Sequence, residues 1–310
     1  MKVIFMGTPD FAVGTLKKLI ASEHEVVGVV TQPDKPKGRG KAMQFTPVKE
    51  VAVEAGIPVF QPRKVRDPEV VETLRGLNAD VIVVVAFGQI IPESILTLTP
   101  YGCINVHGSL LPKYRGAAPI QWAVINGEKE SGITTMQMDA GLDTGDMLLK
   151  KVVPLSLDET GGSLFDKLSA AGADLLLLTL EKLEKGELIP EKQGESPTEY
   201  AKMLTKEMGN IDWTRDAVSI ERWIRGLNPW PSAYTGLEGK TLKIWKASVL
   251  PEDTDEMPGT VVEAGKNCLK VQTGKGLLSI EELQLAGKKR MDIGAFLRGN
   301  TVKEGILLCC

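Results

Sequence analysis

Three stretches in the first half of the chain, Val3–Met6, Val26–Thr31 and Val81–Ala86, are almost continuously apolar and rich in valine and isoleucine. A strand that is apolar on successive residues buries both faces, as the strands of a helix-covered parallel sheet do. Between these runs, Phe11–Ile20, Pro47–Ala55 and Pro68–Leu77 carry apolar residues at helical spacing. Thr46 and Asp67 stand just before Pro47 and Pro68, so each is an N-cap candidate followed by proline at the first helical position. Alternating strands and helices predict right-handed crossovers and an α/β fold with an open, doubly wound, mostly parallel sheet. Ligands of such sheets sit beyond the carboxyl ends of the strands.

Further along, Ile133–Met138 reads as a strand and Gly162–Lys185 as a long helix, whose leucine-rich part Ala173–Leu183 is a packing surface. Leu188–Pro197 holds two prolines, a glycine and several charges, the composition of a linker. Asp216–Leu227 is helical in pattern. Then come short runs, Leu242–Val249, Gly259–Glu263, Cys268–Gln272 and Leu277–Leu285, separated by glycines and charged turns. These predict a small C-terminal antiparallel β-barrel or sandwich. The expected organisation is an α/β domain over 1–187, a linker over 188–206 and a β domain over 207–310.

Composition narrows the picture. The net charge of −3 gives no global basic field, so any RNA contact must come from local basic patches. The four cysteines form no Cys-x-x-Cys motif and no secreted disulfide pattern. The N-terminal apolar run is too short for a signal peptide, and Val81–Phe87 is too short to span a bilayer. A cytoplasmic protein without a membrane segment is expected.

The densest chemistry lies in Cys103–Gly116, Cys-Ile-Asn-Val-His-Gly-Ser-Leu-Leu-Pro-Lys-Tyr-Arg-Gly. On a strand, Asn105 and His107 point to one face and Ile104 and Val106 to the other. Gly108 lets the chain turn away at once. A carboxamide donor beside an imidazole suits acyl transfer, which needs a donor for an oxyanion and a group that moves a proton. A lone histidine is as often a packed core residue. Here, however, His24 is the only other histidine, and it lies in a polar turn that suggests no role. The glycine-rich acidic segment Asp139–Asp146 follows, and its Asp143 can orient the imidazole and stabilise its charged form. A calcium loop starting at Asp139 would need glycine where Thr144 stands and glutamate where Lys150 stands, and no zinc set is present. No metal is expected. Ser109 is not in a Gly-x-Ser-x-Gly elbow, there is no P-loop, and Gly7-Thr-Pro-Asp lacks dinucleotide spacing. Direct transfer to an external amine needs no covalent enzyme intermediate.

Two basic segments remain. Lys35, Lys37, Arg39 and Lys41 alternate with proline and glycine just after a strand, and Lys288, Lys289, Arg290 and Arg298 cluster near the C-terminus. Either is a solvated charged surface or a set of phosphate contacts.

Taken together these motifs resemble the folate-dependent formyltransferases, and among them those acting on methionyl-tRNA, over almost the whole chain. The matching stretches are Val-Ile-Phe-Met-Gly-Thr-Pro-Asp-Phe-Ala, Gln-Pro-Asp-Lys-Pro-Lys-Gly-Arg-Gly-Lys, Asn-Val-His-Gly-Ser-Leu-Leu-Pro-Lys-Tyr-Arg-Gly, Met-Asp-Ala-Gly-Leu-Asp-Thr-Gly-Asp and Ile-Arg-Gly-Leu-Asn-Pro-Trp-Pro-Ser-Ala-Tyr. The resemblance implies a Rossmann-like first domain, with catalysis by its Asn105, His107 and Asp143. It implies 10-formyltetrahydrofolate as formyl donor and the amino group of initiator methionyl-tRNA as acceptor, in a monomer that forms N-formylmethionyl-tRNA for translation initiation. Folate would lie against Phe87, Gly88, Gln89, Ile90 and Ile91, then Ser109, Leu110, Leu111 and Pro112, then Met138, Asp139, Ala140 and Gly141. Arg39 would touch tRNA near its acceptor end, with Lys35, Lys37 and Lys41 beside it. The β domain, an OB-like barrel bearing Lys288, Lys289 and Arg290, would hold the inside of the tRNA. The Asn/His/Asp set alone also fits a formyltransferase acting on an amino-sugar nucleotide or glycinamide ribonucleotide, which would need neither the basic loop nor the second domain. A non-catalytic RNA-binding protein would leave the polar strand end unexplained.

Overall fold

The computed structural model describes residues 1–37 and 42–309. The chain divides into two compact units, Met1–Pro119 with Glu130–Pro154 and Phe165–Ala201, and Ile120–Lys129 with Leu155–Leu164 and Lys202–Cys310. These units are interlaced along the chain, where the expected ones run end to end with limits at 187 and 206. Residues 188–201, read above as the start of a linker, belong to the first unit. They are tied there by a bridge between Met147 and Glu191 and by Ala201 N donating to Arg115 O at 2.8 Å.

In chain order the elements are β1 (Lys2–Gly7), α1 (Asp10–Ile20), β2 (Glu25–Val30), β3 (Lys35–Lys37), β4 (Ala42–Gln44), α2 (Pro47–Glu54), β5 (Val59–Phe60), α3 (Pro68–Arg75), β6 (Val81–Val85), α4 (Glu93–Leu96) and β7 (Cys103–His107). There follow α5 (Pro119–Ile125), β8 (Glu130–Gln137), β9 (Met147–Pro154) and α6 (Gly161–Glu184). The main sheet has the order β5-β2-β1-β6-β7-β8-β9. Its first five strands are parallel, while β8 and β9 run antiparallel. β1 and β6 are buried on both faces, as their unbroken apolar runs require. One face packs Ile4, Met6, Ile82 and Val84 against Val71, Leu74 and Ile95 of α3 and α4. Phe11 of α1 and Phe165 of α6 meet edge to face at 5.2 Å.

Thr46 caps α2 by accepting from Lys49 N at 3.2 Å. Asp67 holds the cap position of α3 without a side-chain hydrogen bond, so the expected cap is positional only. The basic segment after β2 becomes an antiparallel β3–β4 pair. Arg39 and Lys41 lie outside the described residues.

The second unit contains α7 (Ala217–Gly226), β10 (Ala233–Leu237), β11 (Lys240–Leu250), β12 (Val261–Ala264), β13 (Leu269–Gln272), β14 (Leu277–Leu285), β15 (Met291–Asp292) and α8 (Ile293–Gly299). Asp216 caps α7 by accepting from Ser219 N at 2.9 Å. The antiparallel order is β10-β11-β14-β13-β12, with β15 beside β14. β10 and β12 stand at the two ends of this path. Ile220 and Ile224 of α7 and Phe296 of α8 join Leu242, Ile244, Leu278, Ile280 and Leu283 in a single core. No helix among the described residues is long and apolar enough to cross a membrane.

Candidate active site

β7 is the last parallel strand of the sheet, and its neighbour β8 runs the other way. Strand alternation sends Asn105 and His107 to one face, where Met136 and Thr134 are their cross-strand partners. Asn105 is 8 % exposed and His107 6 %. Among the described residues no hydrogen bond engages the Asn105 carboxamide. No fully buried polar side-chain atom among them lacks a partner, so that amide still reaches solvent.

His107 Nε2 lies 3.0 Å from Tyr114 O. A carbonyl only accepts, so Nε2 carries the proton and donates. The other ring nitrogen, Nδ1, lies 3.7 Å from Asp143 Oδ1. That is ion-pair range but too long for a direct hydrogen bond. Nδ1 is therefore the ring nitrogen not engaged by the backbone.

Asp143 adopts φ 55°, which is uncommon for a residue with a side chain. Its Oδ2 accepts from Gly116 N at 2.9 Å. The loop bearing it is closed by Gln137 N donating to Asp146 O at 2.8 Å. Asp139 stiffens the bend by accepting from Gly141 N at 3.0 Å and Thr144 Oγ1 at 2.8 Å. A Cβ on Gly145 would collide with the Gln137 carbonyl, so only glycine permits this close return. His107 and Asp143 thus come within ion-pair range, and Asn105 shares the strand face of His107.

The other expected contacts are distributed less evenly. Phe87 and Ile91 are buried in the core, and the Phe87 carbonyl accepts from Thr8 Oγ1 and Gln32 Nε2 at 3.0 and 3.3 Å. Gln89 ties down a neighbouring loop, accepting from Val65 N at 2.8 Å and donating to Pro62 O at 3.2 Å. Gly88 turns the chain at φ 82°, leaving Ile90 78 % exposed. Ser109 is fully buried and donates to Lys113 O at 2.6 Å. Leu111 packs with Met136, Met147 and Met138, whereas Leu110 and Pro112 line a cleft of about 270 Å3 with Tyr114, Ser131 and Pro197. Asp139, Ala140 and Gly141 are exposed at the loop tip.

Lys35 is exposed and lines a cleft of about 350 Å3 with Thr8, Gln32 and Phe45. Lys37 is described only through its backbone in β3. In the second unit Lys288 and Lys289 are exposed, whereas Arg290 is bound to Glu282 and lies 5.1 Å from the Trp245 ring. Arg290 is therefore partly neutralised where the two lysines are not.

Sequence reasoning missed Gln193, Arg115 and Thr198. Gln193 Nε2 donates to Asp143 O at 2.9 Å and Gly145 O at 2.7 Å, and its Oε1 accepts from Arg115 Nε at 2.9 Å. Thr198 Oγ1 accepts from Tyr114 N at 2.7 Å. Periodicity carries no trace of these ties. Cys103, two residues before Asn105, takes no part: burial pushes its thiol up to about 12, and it donates to Ile95 O at 3.5 Å. Burial, then the adjacent N-terminal amine, lowers the His24 pKa; its Nδ1 lies 3.2 Å from that amine. No three His, Cys, Asp or Glu among the described residues are grouped as a metal set.

The chain matches the formyl transferase family over residues 1–180 and the formyl transferase C-terminal domain over 203–301. It is 62 % identical over 305 residues to the methionyl-tRNA formyltransferase of Agathobacter rectalis, covering 98 % of each chain. It is 52 % identical over 308 residues to that of Clostridioides difficile, covering 99 % of this chain and 100 % of the other. Among solved structures it is similar to WlaRD, a sugar 3N-formyl transferase, with a TM-score of 0.67 at 19 % identity over 93 % of this chain and 99 % of that one. It is also similar to HypX from Aquifex aeolicus, with a TM-score of 0.63 at 18 % identity, over 99 % of this chain and only 50 % of that longer one.

Proposed function

This chain belongs to the formyl transferase family, with the methionyl-tRNA formyltransferases, and we propose that it moves the formyl group of 10-formyltetrahydrofolate to the amino group of initiator methionyl-tRNA in the cytoplasm. The observation that carries the reading is the Asn105 carboxamide, nearly buried and without a hydrogen-bond partner among the described residues, on the same strand face as His107, which in turn lies 3.7 Å from Asp143.

The neutral methionyl amine attacks the formyl carbon, and the carbonyl oxygen takes up negative charge. The Asn105 amide donates to that oxygen; a donor of this kind contributes about 3–4 kcal/mol to the transition state. The amine nitrogen must then lose a proton and N10 of the folate must gain one as the C–N10 bond breaks. His107 Nδ1, the ring nitrogen that the backbone leaves open, carries the proton between them, while the Tyr114 carbonyl holds Nε2–H and Asp143 stabilises the charged ring. Folate would be bordered by the turns around Gly88–Ile90, Leu110–Pro112 and Met138–Gly141. The first unit would carry the chemistry. The second would hold tRNA through Lys288 and Lys289, with Lys35, Lys37, Arg39 and Lys41 touching phosphates near the acceptor end.

The test is transfer of labelled formyl from the folate donor to charged initiator tRNA, set against an amino-sugar nucleotide. Transfer to tRNA alone is the expected result. Preference for the sugar would assign the chain to a different acceptor, and no transfer to either would end the reading.

A further inference from the structure

The segment from Glu191 to Ala201 lies mostly exposed, with Gln193, Ser196 and Thr198 half-buried and Ala201 buried. Every polar atom group of the Gln193 carboxamide is used. Its NH2 donates to the backbone carbonyls of Asp143 and Gly145, 2.9 and 2.7 Å away, and its oxygen accepts from Arg115 Nε at 2.9 Å. Arg115 Nη2 also donates to Gly194 O at 2.9 Å, closing the tie. Asp143 has an uncommon backbone conformation and only a 3.7 Å approach to His107, so its carboxylate position depends on what holds its main chain. Gly116 N holds the carboxylate end, and Gln193 holds the carbonyl end. A fully satisfied network of this kind fixes one geometry.

We propose that Gln193, braced by Arg115, is a positioning residue for the reaction: it sets the Asp143 loop so that the carboxylate faces His107 Nδ1. What the positioned pair achieves rests on the formyl-transfer reading, whereas the positioning itself does not. The segment most linker-like in composition thereby becomes part of the site's frame.

The experiment uses the full chain with Gln193→Ala and Gln193→Glu; the glutamate keeps an acceptor for Arg115 and loses both donors. With only two histidines, the ring nitrogens of His107 and His24 can be followed separately by nitrogen-15 NMR without any substrate. Both variants should move the His107 resonances and leave those of His24 in place. Formyl transfer should show kcat reduced about tenfold to a hundredfold, with KM for folate and tRNA within about twofold. In an Asp143→Ala background, Gln193→Ala should add less than about twofold. Unchanged His107 resonances overturn the proposal, and so do shifts of both histidines or losses that multiply in the double variant, since these mark general loosening. If the parent chain transfers no formyl group while His107 alone shifts, the positioning stands and the functional reading falls.

Discussion

Replacing Asn105 by alanine separates the catalytic reading of this residue from a structural one. The side chain is nearly buried, yet no protein group among the described residues depends on its amide. Truncation therefore leaves no donor or acceptor unpaired, and the destabilisation should stay near or below about 1 kcal/mol. For a domain of this size that lowers Tm by about 2–4 °C. On the proposed reading the same amide faces developing negative charge in the transition state, and its loss should cost about 2.7–4 kcal/mol, or about 10²–10³ in kcat. The two readouts thus diverge by roughly threefold in free energy. Asn105→Asp sharpens the test: it keeps the shape but sets an acceptor, charged when ionised, where negative charge must form, so it should be slower than Asn105→Ala. Single-turnover transfer of labelled formyl at saturating donor and acceptor, with calorimetric melting of each variant, reads both quantities. The oxyanion argument fails if Asn105→Ala stays within about tenfold of the parent, or if Asn105→Asp is the faster variant.

On RNA contacts, Lys288→Ala and Lys289→Ala should each weaken tRNA binding and flatten its logarithmic salt dependence by about one unit, measured by filter binding across a salt series. Arg290→Ala should do less, because Glu282 already compensates its charge. Asp34 is held below its ordinary value of 3.8, first by the hydrogen bond from Lys49 Nζ at 2.5 Å. A depressed carboxylate contributes stability above its unfolded value, and that contribution fades as pH falls through the lower folded value. Lys49→Met should accordingly lower Tm at neutral pH and converge with the parent in acid; a constant gap across that range would contradict the assignment. Iodoacetamide at neutral pH should label exposed Cys309 and spare Cys103, read by peptide mass spectrometry, because the Cys103 thiol is buried and pushed up to about 12.

How much of this was legible beforehand follows from where the forces act. β1, β2 and β6 announce themselves because burial on both faces demands continuous apolar residues. The Asn105 and His107 pair was readable because a strand period of two is rigid. β9 escaped notice because it is an edge strand with exposed Lys150 and Lys151 at its middle, a pattern that resists pairing with other chains. β10 was hidden by its brevity, and its turn through Glu238 and Gly239 takes positive φ at both residues. Asp67 looks like a cap from composition alone, but its side chain makes no hydrogen bond to the helix end. The order of residues 188–201 comes from hydrogen bonds to backbone more than forty positions away, such as Gln193 to Asp143, and no local pattern encodes such a partner.

The interlacing of the two units along the chain limits how such a protein can be taken apart or recombined. The path passes from one unit to the other at 119/120, 129/130, 154/155, 164/165 and again at 201/202. A cut at 187 would strip Gln193 and Thr198 from the neighbours of His107, and a cut after 201 would still leave 120–129 and 155–164 without the rest of their unit. A graft that follows this division has to carry 120–129 and 155–164 together with the residues after 201.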